Sequence, residues 1–288
     1  MLLGVLPPYR TGVTADPAWM QTFAGHADDL GFESLLVVEH VVVPAGYASR
    51  YPYSDTGRMP LPDDVDIPDP LELLAFLAAT TTRIRLGTGI LVLPEHHPVQ
   101  LAKRVATIDR LSGGRVFLGV GVGWLREEVE ATGVDFSTRG ARTDEAIAAL
   151  RALWHEDEPS FAGEFFRFDR ARSHPKPLQP SIPIHVGGHS PSAARRAGRL
   201  GDGFFPLGLD GELLRERLDQ VRAAAEAAGR DPGVIELTLG GMLGALDAEH
   251  VDRAVARGAS RLVLSSRVAD LDVLRRDMDA AARLVTDQ

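Results

Sequence analysis

Residues 81–128 read TTRIRLGTGILVLPEHHPVQLAKRVATIDRLSGGRVFLGVGVGWLREE. An apolar run over 84–91 predicts a strand, the segment over 99–111 a helix, and the run over 116–120 a second strand. A strand, a helical crossover and another strand of these lengths make two parallel strands joined by a right-handed connection.

Outward from this unit the same alternation fills the chain. Toward the N-terminus lie a strand over 2–6, a helix over 17–30 that Gly31 stops, a strand over 34–38 and a helix over 71–80. Leu71, Leu74, Ala75 and Ala78 mark one face of that last helix. Toward the C-terminus comes a helix over 142–154, with Ala146, Ile147, Leu150, Leu153 and Trp154 on one face. Strands over 182–186, 203–206, 235–239 and 261–264 then alternate with helices over 191–200, 212–228, 248–257 and 271–285. Eight strand–helix units in 288 residues predict an α/β chain folded as a closed (β/α)8 TIM barrel, one domain over 1–288. A doubly wound open sheet is the alternative, and it would want a nucleotide fingerprint on the first turn, which is missing.

Composition narrows the function. With 31 basic against 40 acidic side chains the formal charge is −9, which disfavours a sequence-blind nucleic-acid binder. The absence of cysteine excludes disulfides, thiolate metal sites and a cysteine nucleophile. The apolar start of MLLGVLPPYR is too short for a signal peptide, and no run is long enough for a membrane helix, so a cytoplasmic location is expected.

Two segments interrupt the alternation. Residues 41–70 carry six prolines and three of the four tyrosines, Tyr47, Tyr51 and Tyr53. Residues 160–182 open with alternating aromatic and polar positions around Gly163, as in a small hairpin. Insertions in a barrel tend to sit over the face built from the loops after the strands. These tyrosines, with Phe205, are therefore candidates for a substrate pocket.

The strand ends define the chemistry on offer. Strand two ends in Glu39-His40, strand three in Gly87-Thr88-Gly89-Ile90, strand four in Gly119-Val120-Gly121-Val122-Gly123-Trp124, and strand five in Gly187-Gly188-His189-Ser190. Glycine lets backbone lie against a flat ligand, so these ends predict a backbone-lined slot for a large cofactor. Ser190 as cap and Pro191 as first helical residue place free N–H groups at a positive helix end, a physical anion site. Gly119-x-Gly121-x-Gly123 is not a dinucleotide fingerprint, because position 124 is tryptophan.

His40, at a strand's C-terminal end, is the candidate for proton chemistry. His96 and His97 read as helix-start residues, and His185 as a core or wall residue within its strand. Glu127 and Glu128 read as charges at a helix N-terminus. No cluster has metal-ligand spacing, no G-x-S-x-G nucleophile elbow occurs, and no pair of carboxylates flanks a cleft.

Four blocks together, 31–44 (GFESLLVVEHVVVP), 81–128, 139–154 (RGARTDEAIAALRALW) and 182–208 (IPIHVGGHSPSAARRAGRLGDGFFPLG), resemble the bacterial luciferase-like monooxygenase superfamily. Within it they resemble the actinobacterial branch of coenzyme F420-dependent oxidoreductases. The resemblance implies a barrel of the luciferase-like type with a flavin or deazaflavin at its C-terminal mouth. It implies a non-prolyl cis peptide at Gly89-Ile90 behind the cofactor ring, His40 as the active-site histidine, and a phosphate held by Gly187, Gly188, His189 and Ser190. Glu39, Thr88, Gly89, Ile90, Gly121, Gly123 and Trp124 would line the cofactor. Sugar and alcohol dehydrogenases of the family carry an acid where this chain has Trp124, which weighs against alcohol or sugar-phosphate oxidation.

The implied activity is hydride transfer between coenzyme F420 and a small organic substrate. A flavin mononucleotide (FMN) monooxygenase fed by a partner reductase is the alternative, and a non-catalytic flavin-binding protein a further one. A homodimer is the expected assembly. The polyanionic tail of F420 calls for a basic rim, for which Arg58, Arg126 and Arg172 are candidates.

Overall fold

The alternation of apolar runs and amphipathic segments is realised as a ring of eight parallel strands, in a computed structural model that describes residues 1–62 and 64–286. The strands are β1 (Leu2–Leu6), β2 (Ser34–Val37), β3 (Arg85–Thr88), β4 (Val116–Gly121), β5 (Ile184–Gly187), β6 (Gly203–Phe205), β7 (Glu236–Met242) and β8 (Arg261–Ser265). Each pairs in parallel with the next. The ring closes where β8 pairs with β1, Leu2 opposite Arg261 and Leu6 opposite Ser265. The fold is thus the expected (β/α)8 barrel.

Around it lie α1 (Pro17–Asp29), α2 (Pro70–Thr80), α3 (Pro98–Ser112), α4 (Arg126–Ala131), α5 (Arg139–His155), α6 (Pro191–Leu200), α7 (Gly211–Ala227), α8 (Ala248–Ala256) and α9 (Leu271–Thr286). Asp16, Asp69 and Ser190 each cap a helix whose first residue is proline, with the side-chain oxygen accepting first-turn amides. Helix α5 starts at Arg139, three residues before the predicted start at 142. Helix α4 bears out the reading of Glu127 and Glu128 as charges at a helix start, although REEVEA is too short and too charged to show a period. None of the described helices is long and apolar enough to cross a membrane.

Most of the apolar core lies between strands and helices, while a smaller cluster of Leu36, Phe117 and Val263 fills the barrel itself. At the N-terminal end of the barrel Arg261 is fully buried and bound to both oxygens of Glu33 at 2.7 and 2.8 Å. The Phe117 ring lies 5.0 Å from the Arg85 guanidinium and 5.4 Å from that of Arg261. Gly87 is required beside it, because a Cβ there would stand 2.3 Å from the ring. His185 packs on the same ring, centroids 5.2 Å apart. Burial, followed by the charges of Arg261 and Arg85, pushes its imidazole down to about 3, so it is a neutral wall residue, in keeping with its place within a strand.

Strand three departs from the unbroken run over 84–91. It stops at Thr88, passes through a cis Gly89–Ile90 peptide, and resumes as Leu91–Val92 against the same neighbour. Gly87 lies opposite Phe117 and Leu91 opposite Val120, so four steps along one strand match three along the other. One residue is therefore extra, a bulge at the barrel's mouth. The bulge turns Ile90 inward, where a Cβ on Gly121 would meet its Cδ1 at 2.6 Å and a Cβ on Gly187 its Cγ2 at 2.7 Å. A Cβ on Gly119 would meet the Thr88 carbonyl oxygen at 2.1 Å. These glycines make room for strand three itself, which is a different reason from the one expected.

Candidate active site

The C-terminal ends of β2 and β4 meet through one carboxylate. His40 follows β2, and its Nδ1 lies 2.8 Å from Oε2 of Glu128, on α4. The other oxygen of Glu128 accepts the Val41 and Val42 amides at 2.7 and 3.3 Å. Glu128 is only 2% exposed. It stands in the first turn of its helix, as expected, but its carboxylate orients His40 and anchors the start of the 41–70 insertion. Pairing at Nδ1 leaves Nε2 as the ring nitrogen free for proton exchange, with no hydrogen bond engaging it among the described residues.

Glu127 holds the same insertion further on. Its Oε1 accepts the Ala48 and Ser49 amides at 2.7 and 3.1 Å, and hydrogen bonding led by the Ser49 side chain holds its carboxyl down to about 2. The insertion so fixed lays an aromatic wall over the mouth. Trp124 meets Tyr47 and Tyr51 edge to face, with centroids 5.6 and 5.0 Å apart, and His40 at 6.5 Å. Tyr51 meets Tyr53 at 5.3 Å, and Tyr53 meets His189 at 4.9 Å. The predicted pocket residues Tyr47, Tyr51 and Tyr53 are therefore brought together with His40, Trp124 and His189. Burial, with the neighbouring phenols of Tyr9, Tyr53 and Tyr47 adding to it, pushes Tyr51 up to about 12. The wall is accordingly neutral and aromatic. Phe205 is placed apart from it, against Leu36, Phe117 and Val263 inside the barrel.

Gly187–Ser190 turns from β5 into α6, with Gly188 at a φ of 112°. Ser190 accepts the Ala193 amide at 3.1 Å, and Arg217 of α7 donates to the His189 carbonyl at 3.0 Å. His189 Nδ1 is buried with no partner, and no hydrogen bond engages the backbone N–H of His189 or Ser190 among the described residues. Unengaged backbone N–H groups at a helix start fit a phosphate group. The chain thus places a helix start with unengaged amides at one edge of the mouth and His40, held at Nδ1 by Glu128, at another.

Glu39 lies below this surface, 5% exposed, with Oε2 accepting the Val92 amide at 2.5 Å and Oε1 bound to His96 Nε2 at 2.8 Å. It braces the resumed part of strand three. His96 therefore reaches back to Glu39, whereas His97 alone caps a helix, accepting the Val99 amide. Thr88 is fully buried and donates to the Gly119 carbonyl at 2.7 Å. The three arginines expected at a basic rim are spent locally. Arg58 lies over the Tyr47 ring and donates to the Tyr47 carbonyl, Arg126 pairs with Glu130, and Arg172 pairs with Glu158. Among the described residues no group of histidines and carboxylates is arranged to hold a metal ion.

Comparison with known proteins fits this geometry. The family model described as luciferase-like monooxygenase matches residues 1–283. An uncharacterised protein of Mycobacterium tuberculosis is 36% identical over 236 residues, 81% of this chain and 80% of that protein. An F420-dependent glucose-6-phosphate dehydrogenase of Kineococcus radiotolerans is 32% identical over 77% of this chain and 63% of its own length. An FMNH2-dependent dimethylsulfone monooxygenase of Pseudomonas putida is 36% identical over 62% of this chain and 49% of its own length.

Proposed function

The chain belongs to the luciferase-like monooxygenase family, and from that premise we propose that it is an oxidoreductase moving a hydride between coenzyme F420 and a small organic substrate. The observation that carries this reading is His40, held through Nδ1 by buried Glu128 and facing the aromatic wall at the barrel's mouth. A bound flavin or deazaflavin supplies two-electron chemistry at its ring. The chain supplies placement and protons. The turn at Gly187–Ser190 would hold the phosphate through the backbone N–H groups of His189 and Ser190, and Ile90 would line the ring's side of the site. Trp124, Tyr47, Tyr51 and Tyr53 exclude water and orient an apolar acceptor. His40 holds or accepts the proton at Nε2 that accompanies hydride transfer, with Glu128 keeping the ring oriented. With Trp124 where an acid would be needed, activated acceptors such as enones or imines suit the site better than alcohols.

An FMN monooxygenase served by a partner reductase is the second reading, favoured by the Pseudomonas relative and by the absence of an acid at position 124. Anaerobic titration with F420 and with FMN in parallel separates the two. Binding of F420 with hydride transfer to an enone, and little affinity for FMN, is the expected outcome. Tight FMN binding without F420 binding would overturn the first reading in favour of the second. A soluble homodimer is the assembly in which we expect the protein to act.

A further inference from the structure

Glu95 ends the short helical turn Leu93–Glu95 after strand three resumes, and both its carboxyl oxygens are buried without a hydrogen-bond partner. Two other carboxyls are near enough for their charge to act on it, Glu128 on α4 and Glu39 after β2. What separates the three is the donors they receive. Glu128 takes His40 Nδ1 and the Val41 and Val42 amides, and Glu39 takes the Val92 amide and His96 Nε2. Glu95 takes none.

Among the described residues no cation donates to Glu95: on α3, Lys103 and Arg104 line the same pocket, but Lys103 donates to the His174 carbonyl and Arg104 pairs with Asp69 and Glu72. Helix α5 packs against the turn and brings Arg142, whose guanidinium donates to the Pro94 carbonyl at 3.0 Å and lies over the Phe166 ring. Glu145 of the same helix is spent on the amides of residues 164–166. His96 is engaged by Glu39, and His97 caps α3. A buried carboxyl that receives no donor and stands near other carboxyls ionises with difficulty, and of these residues only Glu95 lacks a donor.

We propose that Glu95 is a positioning residue that stays protonated, and so leaves the negative charge on Glu128, where it orients His40 and anchors the insertion. The positioning role rests on the reading of His40 as the residue serving the reacting groups. The proton assignment does not. Burial, with the charges of Glu128 and Glu39 adding to it, pushes Glu95 up to about 9 from an ordinary 4.5. Ionisation above that pH would set a third charge beside Glu128 and loosen its hold on His40 and on the Val41 and Val42 amides.

Infrared difference spectra of the folded protein, without cofactor, test the proton directly. One protonated-carboxyl stretch is expected near neutral pH, lost as pH rises toward 9 and missing in Glu95→Gln. No such band, or a band that persists in Glu95→Gln, overturns the assignment. Should Glu95→Gln not fold, the wild-type band alone decides, and a midpoint below neutrality is equally fatal. The positioning role is tested by the pH profile of kcat with whichever cofactor supports turnover. Wild type should lose kcat on an alkaline limb that Glu95→Gln lacks, and an identical limb in both overturns the role. Absence of turnover with either cofactor would count against the functional reading, and against the positioning role that depends on it, while the infrared band still reports on the proton of Glu95.

Discussion

His40 and Glu128 stand 88 residues apart in the chain and 2.8 Å apart in space, and their contact joins the loop after β2 to helix α4, which follows β4. A histidine held at Nδ1 by a buried carboxylate has a fixed ring and a single unengaged nitrogen, whereas a free imidazole at a rim can turn either nitrogen to the solvent. Glu128→Gln keeps the shape and removes the charge. Turnover should fall by about 10²-fold, in the range that positioned proton transfer contributes. Cofactor affinity, measured by titration, should be retained. Equal loss of both would mean that Glu128 serves the fold of the mouth and not the histidine.

The glycines of β4 make a graded prediction. A methyl group on Gly121 meets the movable end of Ile90, whereas one on Gly119 meets backbone, the Thr88 carbonyl oxygen. Gly121→Ala should cost about 1–3 kcal/mol of unfolding free energy by denaturant titration, and Gly119→Ala more. Ile90→Val removes the Cδ1 that causes the first clash, so it should restore part of the loss in Gly121→Ala and none in Gly119→Ala. Additive effects in the Ile90/Gly121 pair would contradict the packing described.

His185 sets an acid limit on stability. Its folded-state value of about 3 lies below the ordinary 6.5, so the unfolded chain binds a proton that the folded chain refuses. Stability from this source is present above about 6.5 and is lost as pH falls from there toward 3, at about 1.4 kcal/mol per pH unit. His185→Gln should flatten that part of the stability profile. An unchanged slope between pH 6.5 and 4 would show that the imidazole is charged in the folded barrel.

Of the three tryptophans, only Trp124 belongs to the mouth. Trp19 stacks on Phe23 and donates to the Ala269 carbonyl, and Trp154 donates to the Ala102 carbonyl behind the strands. Fluorescence quenching on cofactor binding should therefore disappear in Trp124→Phe, while an assay of direct binding still registers the complex. Quenching that survives would place the cofactor elsewhere.

The barrel was legible because each strand and helix declares itself over a few residues, and eight such units leave few ways to close. His40 was legible for a related reason, being a titratable side chain at a strand's C-terminal end. Partner choice was not. Glu128 sits in a run of charges that reads as an ordinary helix start, and only tertiary folding sets it against a residue near position 40. A weak signal existed, since Glu127 and Glu128 are adjacent acids beside strand ends nearly free of them. The glycines were legible as places where a Cβ cannot be, yet nothing local says whether a ligand or Ile90 takes the space. The bulge in strand three was hidden by its own composition, because Gly-Ile-Leu is as apolar as the strand around it. Only the family resemblance pointed to the cis peptide there.

The adjacent pair Glu127 and Glu128 grips the insertion at two points, residues 41–42 and 48–49, and among the described residues nothing beyond Ser49 takes part in that grip. The chain from there to α2 is therefore mechanically downstream of the histidine's setting. It carries Tyr51 and Tyr53, which pack on Trp124 and His189, and among the described residues none of its groups hydrogen-bonds His40. Such a division makes the stretch that carries Tyr51 and Tyr53 open to exchange, provided Arg58 is kept for Tyr47 and Asp69 for the start of α2. Its length and side chains can be rewritten to change what enters, while the clamp at its root keeps the proton-handling end in register.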